Sequence, residues 1–312
     1  MMKNKQSLHG VFLLDKPIGI TSNRALQQVR RLFSAKKAGH TGSLDPLASG
    51  VLPVCFGEAT KFTRFLLNAN KRYIIKGKLG IITDTGDSNG QVLVRQQVPS
   101  LSFDEFSKVL LSFKGTLFQT PPMYSAMKHR GQPLYKLARQ GVTVKRKLRQ
   151  FIIYELRLCS FKFDNFELEV YCSKGTYIRT FIEDIGLILG CGGYVTMLRR
   201  LEAGPFKITD TITLSQLEIL KTELCEFELF KLLLPMDSLV LDCVVLNVSS
   251  SAAYYLTKGQ QIKIANAPSK GLVRLNQQDN SKFLGIGEIL DDGRVAPRRL
   301  VSECTLKGKK SA

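Results

Sequence analysis

The chain of 312 residues is poor in the side chains that build metal sites and disulfide frameworks. It has three histidines, and none of its seven cysteines stands at a C-x-x-C spacing from another. These counts argue against zinc sites and disulfides and indicate a reducing cytosol. The N-terminus has no apolar run of signal-peptide type, and no stretch approaches the roughly 20 apolar residues of a membrane span. We therefore expect a cytoplasmic protein.

Acidic residues are also scarce, and their distribution is uneven. Lys and Arg total 45 against 26 acids, so the formal net charge is 45 − 26 = +19. Residues 1–201 carry 31 basic and 13 acidic side chains (+18), residues 202–245 carry 3 and 8 (−5), and residues 246–312 carry 11 and 5 (+6). Such an excess favours a polyanionic partner, nucleic acid or acidic membrane, over a merely basic soluble protein. No amphipathic basic helix with a sizeable apolar face supports the membrane alternative.

Strand and helix patterns alternate along the first 245 residues. Residues 166–172 alternate apolar and polar side chains as a half-buried strand does, and helical spacing follows in residues 178–189. Residues 73–83 predict a second strand, whose basic face carries Lys76 and Lys78. The mixture indicates an α/β or α+β domain.

Two further segments have their own composition. Residues 120–147 are polar, basic and rich in Gly and Pro, which is typical of an arm or long loop rather than of core. Residues 246–312 predict a short helix and several strands, with a hairpin turn at Asp292–Gly293. We expect a domain over residues 1–245, with the arm inserted, and a small β-rich module over residues 246–312.

The stretch "HTGSLDPLASG" places one acid, Asp45, among apolar and turn-forming neighbours. A residue before proline is pushed into an extended conformation, and glycine permits close approach of a ligand. Asp45 is therefore expected on a stiffened loop, where a carboxylate can pair with a cation or act as nucleophile or base. The alternative is a helix N-cap, since Pro46 is suited to a first helical turn.

A second stretch, "GTYIRT", offers Tyr177 and Arg179 at a strand-to-helix junction. An arginine near Asp45 keeps the acid ionised and orients it, and a tyrosine stacks on a base or takes part in proton transfer. Tyr73 is another candidate of this kind. The sequence has no Ser-His-Asp pattern, no phosphate-binding Gly-rich loop and no second carboxylate in comparable surroundings. Any chemistry is therefore expected from one acid, without metal or cofactor.

Several motifs closely resemble the bacterial tRNA pseudouridine synthases of the TruB family, and they follow in that family's order from about residue 10 to about residue 206. The motifs are "LLDKPIGITSN", "AGHTGSLDPLASGVLPVCFGEATKF", "KRYIIKGKLGIITDTGD", "QTPPMYSAMKHRGQPLYKLARQG", "CSKGTYIRTFIEDIG" and "VTMLRRLEAGPF". "GIGEILDDGRVAPRRLV" is similar to the family's C-terminal PUA-like module. Ser43 stands where many relatives carry alanine, and residues 207–260 match least.

The resemblance implies an α+β pseudouridine synthase domain, with a central mixed or antiparallel sheet and flanking helices, followed by a PUA-like module. The implied enzyme isomerises the uridine at position 55, in the T loop of tRNA. It implies Asp45 as the catalytic aspartate, Tyr73 as the tyrosine that packs on the target base, and Arg179 as the arginine that pairs with the aspartate. The resemblance also implies that the enzyme binds tRNA without a protein partner, and we expect the chain to be a monomer.

The other implied contacts each have a simpler alternative. His40 matches a histidine that handles the flipped nucleotide, Tyr177 belongs to the arginine motif, Leu198 lines the pocket, and Lys16 belongs to a motif that supports the active-site loop. Instead, His40 could be a structural residue, Tyr177 a core residue and Lys16 a surface lysine of a turn. The basic residues of the arm are expected to clamp the T stem-loop. The alternative is that they are only the charges of a solvated loop. These residues are Lys128, Arg130, Arg139, Lys145, Arg146 and Lys147.

The sequence leaves the catalytic route and two rival functions open. Asp45 could attack the sugar, attack the base, or act as a base that generates a glycal. One rival function is a guide-directed enzyme that acts on another RNA with partner proteins, although the segment 120–147 resembles the arm of the self-sufficient bacterial enzymes. The other is a non-catalytic tRNA binder or chaperone on the same scaffold, which the set of Asp45, Tyr73 and Arg179 opposes.

Overall fold

The computed structural model of the chain describes residues 6–265, 267–279 and 281–302. Residues 1–5, at the start of the predicted catalytic domain, lie outside these ranges. So do residues 303–312, at the end of the predicted C-terminal module, which include Lys307 and the rest of the basic tail. In the described part, the strands are β1 (Gly10–Lys16), β2 (Ala38–His40), β3 (Ala48–Phe56), β4 (Lys71–Leu79), β5 (Ile81–Thr83), β6 (Val92–Arg95), β7 (Gly115–Gln119), β8 (Lys128–His129), β9 (Gln132–Pro133), β10 (Arg149–Lys162), β11 (Asn165–Cys172), β12 (Gly193–Ala203), β13 (Phe206–Lys207), β14 (Ile212–Thr213), β15 (Val244–Val248), β16 (Ile262–Lys263), β17 (Gly271–Gln277), β18 (Lys282–Ile289) and β19 (Arg294–Leu300).

The helices are short, and several begin at a side chain that caps them. Thr21 accepts a hydrogen bond from the Arg24 backbone, and Ser102 with Glu105 forms a reciprocal capping box. The helices Ser22–Leu32 and Phe103–Leu111 begin directly after these caps. The α-helices are α1 (Ser22–Leu32), α2 (Thr63–Leu67), α3 (Phe103–Leu111), α4 (Leu134–Arg139), α5 (Ile178–Ile188), α6 (Leu214–Glu223), α7 (Glu226–Phe230) and α8 (Ser250–Thr257), and 3-10 turns span Gly57–Phe62, Ile208–Asp210 and Met236–Val240.

The expected α+β architecture is confirmed, with a mixed sheet of ten strands at its centre. The main path of the sheet runs β14-β1-β3-β12-β4-β11-β10-β7, with β2 and β13 attached to β3 and β12. Most neighbours are antiparallel, but β1 with β14 and β3 with β12 are parallel. The parallel pairing of β3 with β12 brings the loop before β3 next to a strand some 150 residues later, which no local pattern predicts.

The alternating strands divide into a buried and a polar face. Residues 71, 73, 75, 77 and 79 of β4 are buried, and the intervening side chains face outward. The predicted basic face of this strand is present but is neutralised by acids, mostly from the adjacent strand. Lys76 pairs with Glu167 at 3.5 Å and Lys78 with Asp164 at 3.3 Å. These cross-strand pairs stabilise the register of the sheet, so this face is not a free basic surface.

A five-stranded sheet follows in residues 244–300, in the order β15-β17-β18-β19-β16. The predicted turn at Asp292–Gly293 joins β18 to β19, and Gly293 has a φ of +79°. This sheet packs against the first through Phe62 and Phe283, whose ring centroids lie 5.1 Å apart. Ile286 and Val301 complete that contact in a core cluster shared with the large sheet. In the described residues, no helix is long and apolar enough to cross a membrane.

Candidate active site

Asp45 lies on a loop that two distant elements hold in place. Ser22, at the start of α1, accepts a hydrogen bond from the Leu44 backbone N–H at 2.7 Å and donates one to the Leu44 carbonyl at 2.9 Å. The Gly19 backbone donates to the Pro46 carbonyl at 2.8 Å. The loop closes in a turn in which Ala48 N donates to the Asp45 carbonyl, and β3 begins immediately. No helix follows, so the alternative that Asp45 is an N-cap is wrong.

Arg179 holds the carboxylate of Asp45 and is itself held by backbone carbonyls. Its Nε donates to Asp45 Oδ2 at 2.8 Å, and its Nη1 and Nη2 donate to the carbonyls of Thr85 and Tyr124, each at 2.7 Å. The guanidinium is nearly buried, whereas 41% of the Asp45 side chain is exposed. Asp45 Oδ1 has no hydrogen-bond partner within the described ranges. The carboxylate is therefore fixed through one oxygen and open through the other.

A cavity of about 380 Å³ lies above this pair. Of the predicted site residues, Asp45, Tyr73, Tyr177, Arg179 and Leu198 line it together. Tyr73 is buried on β4, and burial raises the pKa of its phenol to about 12. Tyr177 is the last residue before α5, and its backbone N–H donates to Gln119 Oε1 at 2.6 Å. Such a volume and mixed lining are typical of a site for a small ligand or a single base.

Lys16 and His40 do not line this cavity. The Lys16 side chain is fully buried, and its Nζ donates to the carbonyls of Pro17 and Ile20, each at 2.7 Å. It braces the turn next to the Asp45 loop, so the alternative of a surface lysine is wrong, and its position does not support a direct substrate contact. His40 ends β2, and its Nδ1 is buried with no hydrogen-bond partner in the described part of the chain. Burial lowers the pKa of both side chains, that of Lys16 to about 8.

The arm leaves the large sheet after β7 and returns at β10. It is more ordered than the predicted loop, because the hairpin of β8 with β9 and the helix α4 form within it, and Leu134 is buried. Its base contributes Tyr124, Ser125 and Ala126 to the cavity wall. The predicted clamp residues Lys128, Arg130 and Arg139 are exposed and outside the wall, and Lys145 and Lys147 are also exposed. Arg146 donates to the Pro121 carbonyl at 3.0 Å.

Two further carboxylates lie close to Arg179, although neither of them lines the cavity. Asp87 Oδ2 is 3.9 Å from Arg179 Nε, and its side chain is 8% exposed. Glu183 stands one helical turn after Arg179 on α5. Asp87 reaches the site because its backbone bridges to Val195 of β12. The i,i+4 spacing of Arg179 and Glu183 was the one local signal of this cluster.

Glu183 is expected to make stability depend on pH. Burial raises the pKa of its carboxyl to about 7, opposed by the charge of Arg179. The folded state therefore holds the proton more tightly than the unfolded state, whose carboxyl titrates near 4.5. Ionisation costs stability progressively as the pH rises from about 4.5 to about 7.

Glu183→Gln removes this cost. The free energy of unfolding of the variant, relative to that of the native chain, should therefore be higher at pH 8 than at pH 5. Urea unfolding at both pH values measures the difference. The exposed Glu218→Gln is the control and should show no such change. An equal effect of Glu183→Gln at the two pH values would contradict the burial argument.

Two solved structures of multi-component complexes share this fold. A Cbf5–Nop10–Gar1 complex matches with a TM-score of 0.69 and 27% identity, over 90% of this chain and 78% of that chain. An H/ACA RNP bound to a substrate RNA with 2′-deoxyuridine matches with a TM-score of 0.71, over 94% of this chain and 85% of that chain. Its identity is 24%, so it shows the fold alone.

Family models and curated relatives narrow the class further. Residues 30–178 match the N-terminal domain of the TruB family pseudouridylate synthases, 179–241 the C-terminal domain of tRNA pseudouridylate synthase B, and 245–301 the C-terminal part of pseudouridine synthase II TruB. The chain is 52% identical to tRNA pseudouridine synthase B of Coxiella burnetii over 299 residues, 96% of each. It is 51% identical to the protein of that name from Nitrosococcus oceani, over 95% of this chain and 96% of the relative. The chain belongs to the TruB family of pseudouridylate synthases.

Proposed function

We propose that this enzyme isomerises uridine to pseudouridine at position 55 in the T loop of tRNA. The observation that carries the proposal is the pair of Asp45 and Arg179 at the floor of a base-sized cavity that Tyr73 and Leu198 also line. The proteins named tRNA pseudouridine synthase B support tRNA as the substrate, since about half of their residues are identical over nearly the full length.

The reaction conserves the atoms of the nucleotide apart from exchangeable protons. The bond from C1′ to N1 breaks, the base rotates, and C1′ bonds to C5; C5 loses a proton and N1 gains one. The target uridine first leaves the stack, at a cost of a few kcal/mol. Stacking on Tyr73 returns roughly 1–3 kcal/mol. Asp45, oriented through Oδ2 by Arg179, presents Oδ1 as the nucleophile or base for the step at the sugar or base.

The proposed assignments of the remaining residues follow from where they lie. Tyr177 and Leu198 form cavity walls that exclude water from the base, whereas Lys16 acts through the loop it braces. His40 lies on the strand that leads into the catalytic loop and is assigned to the handling of the flipped nucleotide. The arm and the 246–312 module then contact the phosphates on either side of a T stem-loop, as two modules on one polyanion.

The proposal extends to the organisation of the chain. We propose a catalytic domain over residues 1–245 with the arm 120–147 inserted, and an RNA-binding PUA-like module over residues 246–312. The enzyme is proposed to act as a monomer in the cytoplasm, without a protein partner. The proposal that no protein partner is needed rests on the segment 120–147, which resembles the arm of the self-sufficient bacterial enzymes.

The direct test is to incubate the purified chain with unmodified tRNA transcript and to map pseudouridine by a carbodiimide stop assay. A single new stop at position 55 is expected. A transcript with cytidine at that position should give none. Tight binding without any stop would instead support the non-catalytic binder, and stops elsewhere would refute the T-loop assignment.

Binding of tRNA is expected to weaken steeply with salt, because several phosphates are neutralised at once. We expect the affinity to fall by at least about 10²-fold between roughly 50 and 200 mM salt. Filter binding over this range measures the slope. Replacing the exposed arm residues Lys145 and Lys147 by alanine should reduce the slope by about 1–2.

The same double substitution at the exposed residues Lys108 and Lys231, which lie outside the arm, is the matched control. Equal slopes for the arm variant and the native chain would show that the arm is only a solvated loop and does not contact the phosphates.

A further inference from the structure

Arg200 occupies the centre of the large sheet, between the two strands that hold the proposed catalytic residues. On one side its Cα partner is Tyr73 of β4, in the antiparallel register. On the other side its partner is Gly50 of β3, the strand that follows the Asp45 loop. A Cβ at Gly50, whose φ is +104°, would stand 2.1 Å from the Arg200 carbonyl, so only glycine allows this approach. Arg200 therefore sits where the catalytic loop and the Tyr73 strand meet.

The side chain of Arg200 is buried, but no carboxylate lies within ion-pair distance of it in the described residues. It is 1% exposed and lines the cavity. Its Nε donates to the Val51 carbonyl at 2.7 Å, and its Nη2 donates to the Gly42 carbonyl at 3.3 Å. A buried guanidinium without a counter-ion is costly, and backbone carbonyls compensate it only in part. Its charge is available to whatever occupies the cavity.

The preceding residue offers a contrast on the same strand. Arg199 is half-buried, and its guanidinium binds both oxygens of Asp15, at 2.7 and 3.2 Å. It is outside the cavity wall. The two arginines thus differ in what they contact. Arg199 forms an ion pair away from the cavity, whereas Arg200 lines the cavity and has no counter-ion in the described residues.

The charge of Arg200 acts on several ionisable groups around the cavity floor. It adds to burial in lowering the pKa of His40 and of Lys71, the latter to about 8. At Tyr73 burial raises the pKa of the phenol, and the nearby charge of Arg200 opposes this. The charge of Arg200 therefore acts on the Tyr73 side chain across the cavity floor.

We propose that Arg200 is a positioning residue for the reaction, which ties the Asp45 loop at Gly42 to the strand of Tyr73 and holds the Tyr73 hydroxyl with its unpaired charge. The inference rests on the proposed function. Asp45 and Tyr73 line one cavity, and they come from a loop and a strand that only the sheet brings together. A displacement of about 1 Å between such groups costs on the order of 10²-fold in rate.

A double-mutant cycle in single-turnover pseudouridine formation tests this role. We expect Arg200→Gln to lower the rate by about 100-fold with tRNA affinity within about threefold, because Arg200 acts on the site and not on the phosphates. In a Tyr73→Phe background, the same substitution should lower the rate by less than about tenfold, because its partner hydroxyl is already gone. Arg200→Lys keeps the charge and should recover part of the rate. Arg199→Gln is the matched control and should stay close to the native rate.

A purely structural arginine would behave differently. Equal losses in both Tyr73 backgrounds, or a loss explained by weaker tRNA binding, would overturn the proposal. If thermal unfolding shows that Arg200→Gln is not folded, the cycle is run with Arg200→Lys instead. We then expect Arg200→Lys to lower the single-turnover rate less in the Tyr73→Phe background than in the native background. Additive losses of rate would contradict the proposal. Lack of activity in the native chain refutes the proposed function instead, so the two failures are distinct.

Discussion

Asp45→Asn is expected to abolish pseudouridine formation while tRNA binding stays within a few fold. The amide keeps an oxygen that can accept the hydrogen bond from Arg179 Nε, so the loop geometry should persist. It lacks the charge and nucleophilicity that every proposed route requires, and we expect a loss of at least roughly 10³-fold. Binding depends mainly on phosphate contacts, which this substitution leaves in place.

The measurement is single-turnover pseudouridine formation with excess enzyme, next to filter binding of the same tRNA. Asp104→Asn, an exposed acid in the first turn of α3, is the matched control and should retain full activity. Activity of Asp45→Asn within about tenfold of the native chain would show that another group performs the chemistry. Lost binding together with lost activity would point to a collapsed loop instead.

Arg179→Met is expected to impair both activity and stability, unlike the change at Asp45. It leaves the carbonyls of Thr85 and Tyr124 without their donor, and a buried unsatisfied group costs about 1–3 kcal/mol. It also removes the cation shared by Asp45, Asp87 and Glu183. We expect the free energy of unfolding to fall by about 2–4 kcal/mol and the single-turnover rate by roughly 10³-fold.

Urea unfolding and single-turnover kinetics measure the two effects separately. Arg179→Lys keeps the charge but loses the fork that reaches both carbonyls, so intermediate values are expected. Arg157→Gln, which removes an exposed arginine paired with Glu169, is the control and should change stability by less than about 1 kcal/mol. A stable and active Arg179→Met would refute the role of this residue in orienting Asp45.

The arm is connected to the site by the same arginine. Arg179 Nη2 binds the carbonyl of Tyr124, at the base of the arm, and Tyr177 N binds Gln119 at the end of β7. The base of the arm is thus tied by hydrogen bonds to the start of α5, from which Arg179 reaches the carboxylate of Asp45. Together with the cavity wall that Tyr124, Ser125 and Ala126 form, this connection joins the base of the arm to the site.

Local patterns predicted much of the fold. The alternation in residues 166–172 and the helical spacing after it correspond to β11 and α5, because period-two and period-3.6 patterns reflect which side chains face the core. The extended loop at Asp45 followed from Pro46 alone, which disfavours helix at the preceding residue. The hairpin turn at Gly293 followed from its tolerance of positive φ. Each of these depends on a few consecutive residues.

Positions across the sheet could not be predicted in this way. Lys16 had the sequence of a surface turn, but its ammonium is buried against two carbonyls. Asp87 and Glu183 gave no sign of approaching Arg179 together, and the basic face of β4 gave no sign of its neutralising acids. These facts depend on which strands are neighbours.

By itself, the sequence determined the elements, the loop that presents Asp45 and the helix start that presents Arg179, because turns, caps and hydrophobic periods act over a few residues. Only the tertiary structure decided that two further carboxylates lie near Arg179, that Lys16 is buried and that Arg200 lies between β3 and β4. The place of Arg200 depends on the pairing of β12 with β3 and β4, across up to roughly 150 residues of chain, and Asp87 reaches Arg179 through its bridge to Val195 of the same strand. Such pairing is set by the packing of the whole sheet, which no short stretch of sequence contains.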